Sequence, residues 1–396
     1  MTGVRGDKWF LLLIVVSLTS FTVYATDSVA ESSQPQEAFL QSLPEYNSNL
    51  RDRRSRGTSR SNHTKQTSTT IKGSNALPNI QLCFRCLTAH PSVLQQLNAI
   101  VQLKGLNFPP PRTQGQATIP LKRLEASQVF TLKLTVGNTS GEFLFDTGAS
   151  TTMLSTFIVQ QLGLIGEKIS SEQLTSAVAG KDCPEMSANV HQLPSIAVDG
   201  VRVEQLSGLE FTNTLIPDGL SGVLGMDFLR HFDLKLNPKS QQLQLLAPSQ
   251  LNVTSTQNAI PLDSRLGVML AKLEINRQGP FTFMLDTGAD TTFISPQLAN
   301  TLELNQANRQ PIQVIGFCGL EMAERSTLEQ IKMGEFQQNN LEAVILSSPS
   351  VLDLLEVDGI LGQNYLNAYQ QHWQFNLSED SDILNGSLIL SPIQKK

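Results

Sequence analysis

The chain repeats itself, and this repeat limits its fold more than any other feature. Phe143 to Ser155 reads FLFDTGASTTMLS, and Phe283 to Ser295 reads FMLDTGADTTFIS. Eight of these thirteen positions are identical, and most of the rest exchange one apolar residue for another. Ile119-Pro120-Leu121 returns as Ile260-Pro261-Leu262. Gly222 to Leu229 (GVLGMDFL) returns as Gly359 to Leu366 (GILGQNYL). The order and spacing match, so a unit of about 130 residues occurs twice, over 117–248 and 258–392. Two copies make a pseudo-symmetric pair, because a solenoid needs more repeats to bury its faces.

Each copy reads as mostly strand. Val129 to Val136 (VFTLKLTV) alternates, and Gly137 to Gly141 turns it back into Glu142 to Phe145. In the second copy Met269 to Ile275 turns at Asn276 to Pro280 into Phe281 to Leu285. Ser155 and Ser295 are equivalent N-caps for a short helix after each Asp-Thr-Gly, and Pro296 occupies the first helical position of the second. Further strands are expected over Ser195 to Val203 and over Asp233 to Leu246, the latter around the turn Asn237 to Ser240.

One Asp-Thr-Gly at a strand end is ordinary turn chemistry. Two are different when each follows an apolar triplet, precedes Ala-X-Thr-Thr, and is answered by a later apolar-Leu-Gly. The two halves resemble retropepsin-like aspartic proteases, and the pair resembles a single-chain, two-lobed, pepsin-like arrangement of them. The resemblance rests on Asp146 to Ala149, Asp286 to Ala289, Val223 to Leu229 and Ile360 to Leu366. Met226 departs from the polar residue usual after that Gly. About 260 residues are covered, and the first 115 lie outside the match.

The resemblance implies an all-β fold of two lobes sharing one site. Asp146 and Asp286 would be the catalytic pair, splitting one proton because like charges at short range cannot both ionise easily. Thr147 and Thr287 would bond across the pair, and Gly148 and Gly288 would offer N–H groups to the carboxylates. Ala149 and Ala289 stand where pepsin-like relatives carry a hydroxyl. Without that donor the carboxylate pKa is not pulled down, so activity is expected from mildly acidic to near-neutral pH. The substrate would be a polypeptide, with no cofactor and no metal. No HExxH, GxSxG or phosphate loop is present in the sequence.

A retropepsin half also implies a hairpin flap between its two motifs. The candidates are Ala177 to Gly180 continuing to Met186, and Val314 to Gly316 continuing to Met322. Gly180 with Cys183 and Gly316 with Cys318 mark them. The two cysteines nearly superpose in the repeat, so a disulfide between the flaps is one reading. A pair of small apolar residues inherited by duplication is the other.

The N-terminal third has no counterpart in the repeat. Residues 1–25 have the grammar of a signal peptide, with Arg5 and Lys8 ahead of the apolar run Trp9 to Val16, and an uncleaved membrane anchor over 9–25 is the alternative. Either way the rest of the chain is exported (secreted, periplasmic or lumenal), possible membrane association resting on this segment alone. Residues 26–80 read as a disordered polar linker with a basic stretch from Arg51 to Lys72. Residues 81–112 hold Cys83 and Cys86, a short helix carrying Val93, Leu94, Leu97, Ile100 and Val101 on one face, and the stiff Pro109-Pro110-Pro111. Cys83 and Cys86 could be a redox pair, half a zinc site or a local disulfide, and an oxidising compartment favours the disulfide.

The formal net charge of -6 argues against nucleic acid as a partner. The short linker from Leu251 to Asn258 permits the lobes to pair within one chain, and pairing between two chains stays open. The competing function is a catalytically silent peptide-binding module. Two aspartates at one site weigh against it, since a binder has no use for two costly like charges.

Overall fold

A computed structural model describes residues 11–18, 93–95, 97–104, 108–125, 127–170, 174–178, 187–212, 216, 219–249, 258–316, 319–347 and 350–393. The expected linker at 26–80, Cys83, Cys86, Gly180, Cys183, Cys318 and most of the linker at 251–258 lie outside the described residues.

The chain is built from strands, in two duplicated halves. In the first, Phe130–Val136 and Thr139–Phe145 form a hairpin about the tight turn Gly137–Asn138. Alternate residues of the first strand face the core, while Phe143, Leu144 and Phe145 are all buried. The reason is position. Gly222–Leu224 runs parallel to Phe143–Phe145 and antiparallel to Met153–Leu154, so the triplet sits inside the sheet. The second half repeats this: Gly359–Leu361 runs parallel to Phe283–Leu285 and antiparallel to Phe293–Ile294. Its hairpin, Val268–Ile275 with Gln278–Leu285, turns at Asn276 and Arg277, whose φ angles of 50° and 65° mark a primed turn that suits twisted strands. Ser155 caps the helix Thr156–Leu162 and Ser295 caps Pro296–Thr301, each accepting from the backbone three residues on.

The halves join in one sheet. Ala117–Pro120, Gln242–Leu246 and Asp233–Asn237 come from lobe 1, and Tyr369–Leu377, Ile383–Pro392 and Ala259–Arg265 from lobe 2. The seam pairs Leu234 with Trp373, Lys235 with His372, and Leu236 with Gln371. Gly222 and Gly359 are 137 positions apart (359 − 222), and so are Lys235 and His372. The pseudo-twofold axis therefore passes through the Lys235–His372 pair. Leu234 and Trp373 are fully buried, so a continuous apolar core backs the seam. The seam fits pairing of the lobes within one chain.

Two expectations are corrected. The helix expected over residues 93–101 is replaced by strands Val93–Gln95 and Leu97–Lys104. Leu97, Ala99, Val101 and Leu103 alternate with Asn98, Gln102 and Lys104, broken only at Ile100, a period-two reading that competes with the helical one. The single strand expected over Ser195 to Val203 is a hairpin, Ile196–Val198 with Val201–Glu204, because Asp199–Gly200 makes its turn. The apolar N-terminal run forms, over Leu11–Leu18, a strand antiparallel to Leu97–Lys104. Among the described residues, no helix is long and apolar enough to cross a membrane.

Candidate active site

Asp146 and Asp286 each follow the buried triplet directly, so the sheet sets where they lie. The Asp146 N–H donates to Leu224 O at 3.2 Å and the Asp286 N–H to Leu361 O at 3.1 Å. Each carboxylate then accepts from its own turn: Gly148 N to Asp146 Oδ1 at 2.7 Å, and Gly288 N to Asp286 Oδ1 at 2.8 Å.

The two turns are locked to each other through their threonines. Thr147 Oγ1 donates to Leu285 O at 3.1 Å and accepts from Thr287 N at 3.1 Å. Thr287 Oγ1 donates to Phe145 O at 3.1 Å and accepts from Thr147 N at 3.0 Å. Each hydroxyl uses its donor and an acceptor position on the opposite lobe, so neither threonine is satisfied by its own half. All four residues of both pairs are fully buried.

This grip brings each glycine against the other lobe's aspartate. A Cβ on Gly148 would lie 2.4 Å from Asp286 Cγ, and one on Gly288 would lie 2.4 Å from Asp146 Cγ. No side chain fits there, which is a steric reason for Gly at both turns. Asp146 is held well above the usual carboxylate range, first by burial, then by the charge of Asp286 and a hydrogen bond with it. Ala149 and Ala289 are fully buried beside the pair. Their carbonyls accept from Met226 N at 2.6 Å and Gln363 N at 2.7 Å, tying each turn to its later glycine motif.

The second candidate flap lies on a hairpin: Gln310–Gly316 pairs antiparallel with Gly319–Met333, and Gly316 faces Gly319 at its tip. In lobe 1, Ala177 belongs to the strand Leu174–Val178, which pairs with Leu97–Lys104. Residues 179–186 of that candidate lie outside the described residues.

Several residues in and around the motifs carry partners that the sequence did not assign to them. Asp227 Oδ1 accepts from Thr152 N at 2.9 Å, Thr152 Oγ1 at 2.7 Å and Phe228 N at 2.9 Å. Asn364 holds the equivalent place, accepting from Thr292 Oγ1 at 2.8 Å and donating to Glu342 O at 2.8 Å. Burial pushes Asp227 up to about 6, against the hydrogen bonds from Thr152. Asp290, next to Ala289, accepts from Ser127 Oγ at 2.8 Å and from the Gln128 N–H, both of lobe 1. Burial pushes it up to about 7. Asn367 Nδ2 donates to Gln128 O at 2.9 Å, so lobe 2 holds this segment of lobe 1 at two points. The signal was available: lobe 1 has Ser150 where lobe 2 has Asp290, the one charge change between Phe143–Ser155 and Phe283–Ser295.

The model of the gag-polyprotein putative aspartyl protease family matches residues 132–231 and 271–368, one match in each half. No curated protein sequence is significantly similar to the chain. Among solved structures, basic 7S globulin from soybean is 9% identical, with 70% of this chain and 95% of that one covered and a TM-score of 0.37. Conglutin gamma, a basic 7S globulin from lupine seeds, is 10% identical, with 70% and 95% covered and a TM-score of 0.38. A retropepsin-like aspartic protease from Rickettsia conorii is 18% identical, with 34% of this chain and all of that one (100%) covered and a TM-score of 0.26. With both repeats matched over half its length, the chain belongs to the gag-polyprotein putative aspartyl protease family.

Proposed function

We propose that the protein is an aspartic endopeptidase in which Asp146 and Asp286 share one proton across the lobe boundary. The observation that carries this reading is the reciprocal grip of Thr147 and Thr287, which holds the two carboxylates against each other's glycines. A pair of carboxyls so placed releases its two protons in separate steps, and between the steps one is charged and one is neutral.

In that state the ionised carboxylate takes a proton from a water lying between the two, and the water attacks the peptide carbonyl. The neutral carboxyl donates to the carbonyl oxygen as charge develops there. The proton taken from the water then passes to the leaving nitrogen, the C–N bond breaks, and a hydroxyl of the tetrahedral intermediate gives its proton to the other carboxylate as the new carboxyl group forms, so the pair again holds one shared proton. The grip keeps both groups in place throughout, so little is lost to reorganisation during reaction. Nothing in this sequence of steps needs a covalent nucleophile.

The raised Asp146 shifts the active window upward, because the singly protonated pair persists until that proton leaves. With Ala149 and Ala289 in place of hydroxyl donors, the expected pH optimum is mildly acidic to near neutral.

The test is peptide-library cleavage by the full chain and by Asp286→Asn. The variant is expected to lose about 10³-fold or more in kcat, in the range of a lost general acid or base. Equal activity in both would sink the assignment, and absence of cleavage by the unmutated chain at every pH would favour a silent peptide-binding module.

A further inference from the structure

The lobes differ at one buried position behind the aspartate pair. Met226 and Gln363 each follow the glycine of the later motif, and both are fully buried. Each main chain bonds the alanine of its own aspartate turn, Met226 N to Ala149 O at 2.6 Å and Gln363 N to Ala289 O at 2.7 Å. The backbones are alike, and the side chains are not. Gln363 Nε2 donates to Thr287 O at 3.1 Å. A methionine side chain has no N–H or O–H, so Met226 cannot do the same for Thr147 O. The carbonyl that Gln363 reaches belongs to the peptide group whose N–H is that of Gly288, and this N–H donates to Asp286 Oδ1 at 2.8 Å. A chain therefore runs from the Gln363 amide through the Thr287–Gly288 peptide to the Asp286 carboxylate. A bond accepted at one end of a peptide polarises it and strengthens the bond given at the other, by roughly 10–30%. In lobe 1 the Gly148 N–H donates to Asp146 Oδ1 at a similar 2.7 Å, but Met226 places no donor behind it.

We propose that Gln363 is a positioning residue for the shared proton: through the Thr287–Gly288 peptide it favours the ionised form of Asp286, so Asp146 keeps the proton and donates to the substrate carbonyl while Asp286 takes the proton of the water. The proposal rests on the protease reading above and assigns its two roles. The physical reason is that a donor to a carboxylate favours its charged form, and only one of the two carboxylates has its donor reinforced. Asp146 is held well above the usual carboxylate range, by burial first and then by the charge of Asp286, which agrees with a proton kept there. Two identical subunits could not make this distinction, because symmetry gives both carboxyls the same surroundings. The other acids of these motifs are bonded elsewhere, Asp227 to Thr152 and Phe228, and Asp290 to Ser127 and Gln128. Arg230 and Arg123 are the cations that bear on them, and they titrate at about 6 and about 7. A pH–rate profile alone would mix these groups with the pair, so the test reads each carboxyl separately.

The test is carbon-13 NMR of the full chain labelled at the aspartate carboxyl carbons and titrated from about pH 3 to 8. Asp146→Asn and Asp286→Asn assign the two signals. The readout is the ratio of protonated Asp146 to protonated Asp286 between the two titration steps of the pair, and it should favour Asp146 in the unmutated chain. Gln363→Met gives lobe 2 the residue that lobe 1 already carries, and should move the ratio about two- to fourfold towards Asp286. Met226→Gln supplies the missing donor to lobe 1 and should move it in the same direction. Exchanging both residues should move it further than either change alone. Loss of packing would not give one direction from opposite substitutions in opposite lobes.

An unchanged ratio in Gln363→Met would overturn the proposal, as would a proton that sits on Asp286 in the unmutated chain. Gln363→Met decides the matter alone if Met226→Gln does not fold. If the two carboxyls titrate independently, each near its ordinary value, no proton is shared, and the protease reading and the proposal fall together. If the ratio moves as expected while no peptide is cut at any pH, the protease reading fails and the effect of Gln363 on the proton stands without it.

Discussion

The two lobes are equal where they meet and unequal where they do not. At the axis the copies are interchangeable: Thr147 and Thr287 make the same two bonds at 3.0 to 3.1 Å, and Gly148 and Gly288 face the opposite aspartate at the same 2.4 Å. Away from it they diverge. Lobe 2 carries an unbroken hairpin, Gly319–Met333 with Phe336–Ile345. Lobe 1 divides the same region into Ser187–Gln192, Ile196–Val198, Val201–Glu204 and Ser207–Thr212. Pro194 lies at the first break, and proline cannot donate to a ladder. The positive φ of Gln205 at the second break, 63°, has a counterpart in Asn340 of lobe 2, 54°, so it does not account for the difference. The lesson is that residues bonded across the axis have a partner in the other copy and cannot change alone, whereas an outward hairpin can.

The largest expected effect tests the equality. Thr147→Val and Thr287→Val each remove a donor to a buried carbonyl and an acceptor for a buried N–H, at a cost of about 2–4 kcal/mol each. The double variant should cost clearly less than the sum, because each change already strips the other threonine's turn. Chemical denaturation of the four proteins measures this. Additive losses would mean that the lobes are not locked through these hydroxyls.

A smaller effect probes the inequality at the position after the glycine motif. Asn364→Asp replaces the donor to Glu342 O by an acceptor and should destabilise the fold by about 1–3 kcal/mol at neutral pH. Asp227→Asn is the reverse exchange. Asp227 titrates at about 6 when folded and near 3.8 as its reference value, so its protonated form favours the fold. That contribution is complete below about pH 4 and is lost as pH rises through 6. Denaturation midpoints taken from pH 4 to 7 should show a flatter decline in Asp227→Asn. An unchanged slope would place the titrating group elsewhere.

The last comparison concerns Asp290, which lobe 1 lacks. Its folded value of about 7 against 3.8 has the same sign: protonation relieves the cost of burying the charge, although the bonds from Ser127 and Gln128 favour the ionised form, and this stabilisation is lost as pH rises through 7. Arg123 is the cation whose charge opposes the shift. Asp290→Asn keeps the shape and should remove at most about 1.4 kcal/mol per pH unit from the slope between pH 4 and 7. The same measurement on Ser150→Ala, the equivalent site, should show no change in slope. If both variants behave alike, the asymmetry has no electrostatic content.

Much of the site was legible in the sequence because it is local and repeated. An apolar triplet before Asp-Thr-Gly states that a strand ends in a carboxylate, and the second copy states that there are two. Ser155 and Ser295 as caps were readable for the same reason, since a cap bonds three residues along. Asp227 and Asn364 were not, because their partners Thr152 and Thr292 stand 75 and 72 positions away. The helix expected near Val93 failed because its apolar spacing suits two periods, and a neighbouring strand chose between them.

By itself, then, the sequence determined the duplication, the β character of each half and the two aspartate turns. All of these follow from patterns shorter than a hairpin, or from one copy confirming the other. The tertiary structure alone decided that Thr147 bonds Leu285, that Asp290 holds Ser127, and that Val93–Gln95 pairs with a strand of lobe 2 while Leu97–Lys104 pairs with one of lobe 1. Those contacts join residues far apart in the chain, and a polar side chain carries no local sign of which distant group will satisfy it.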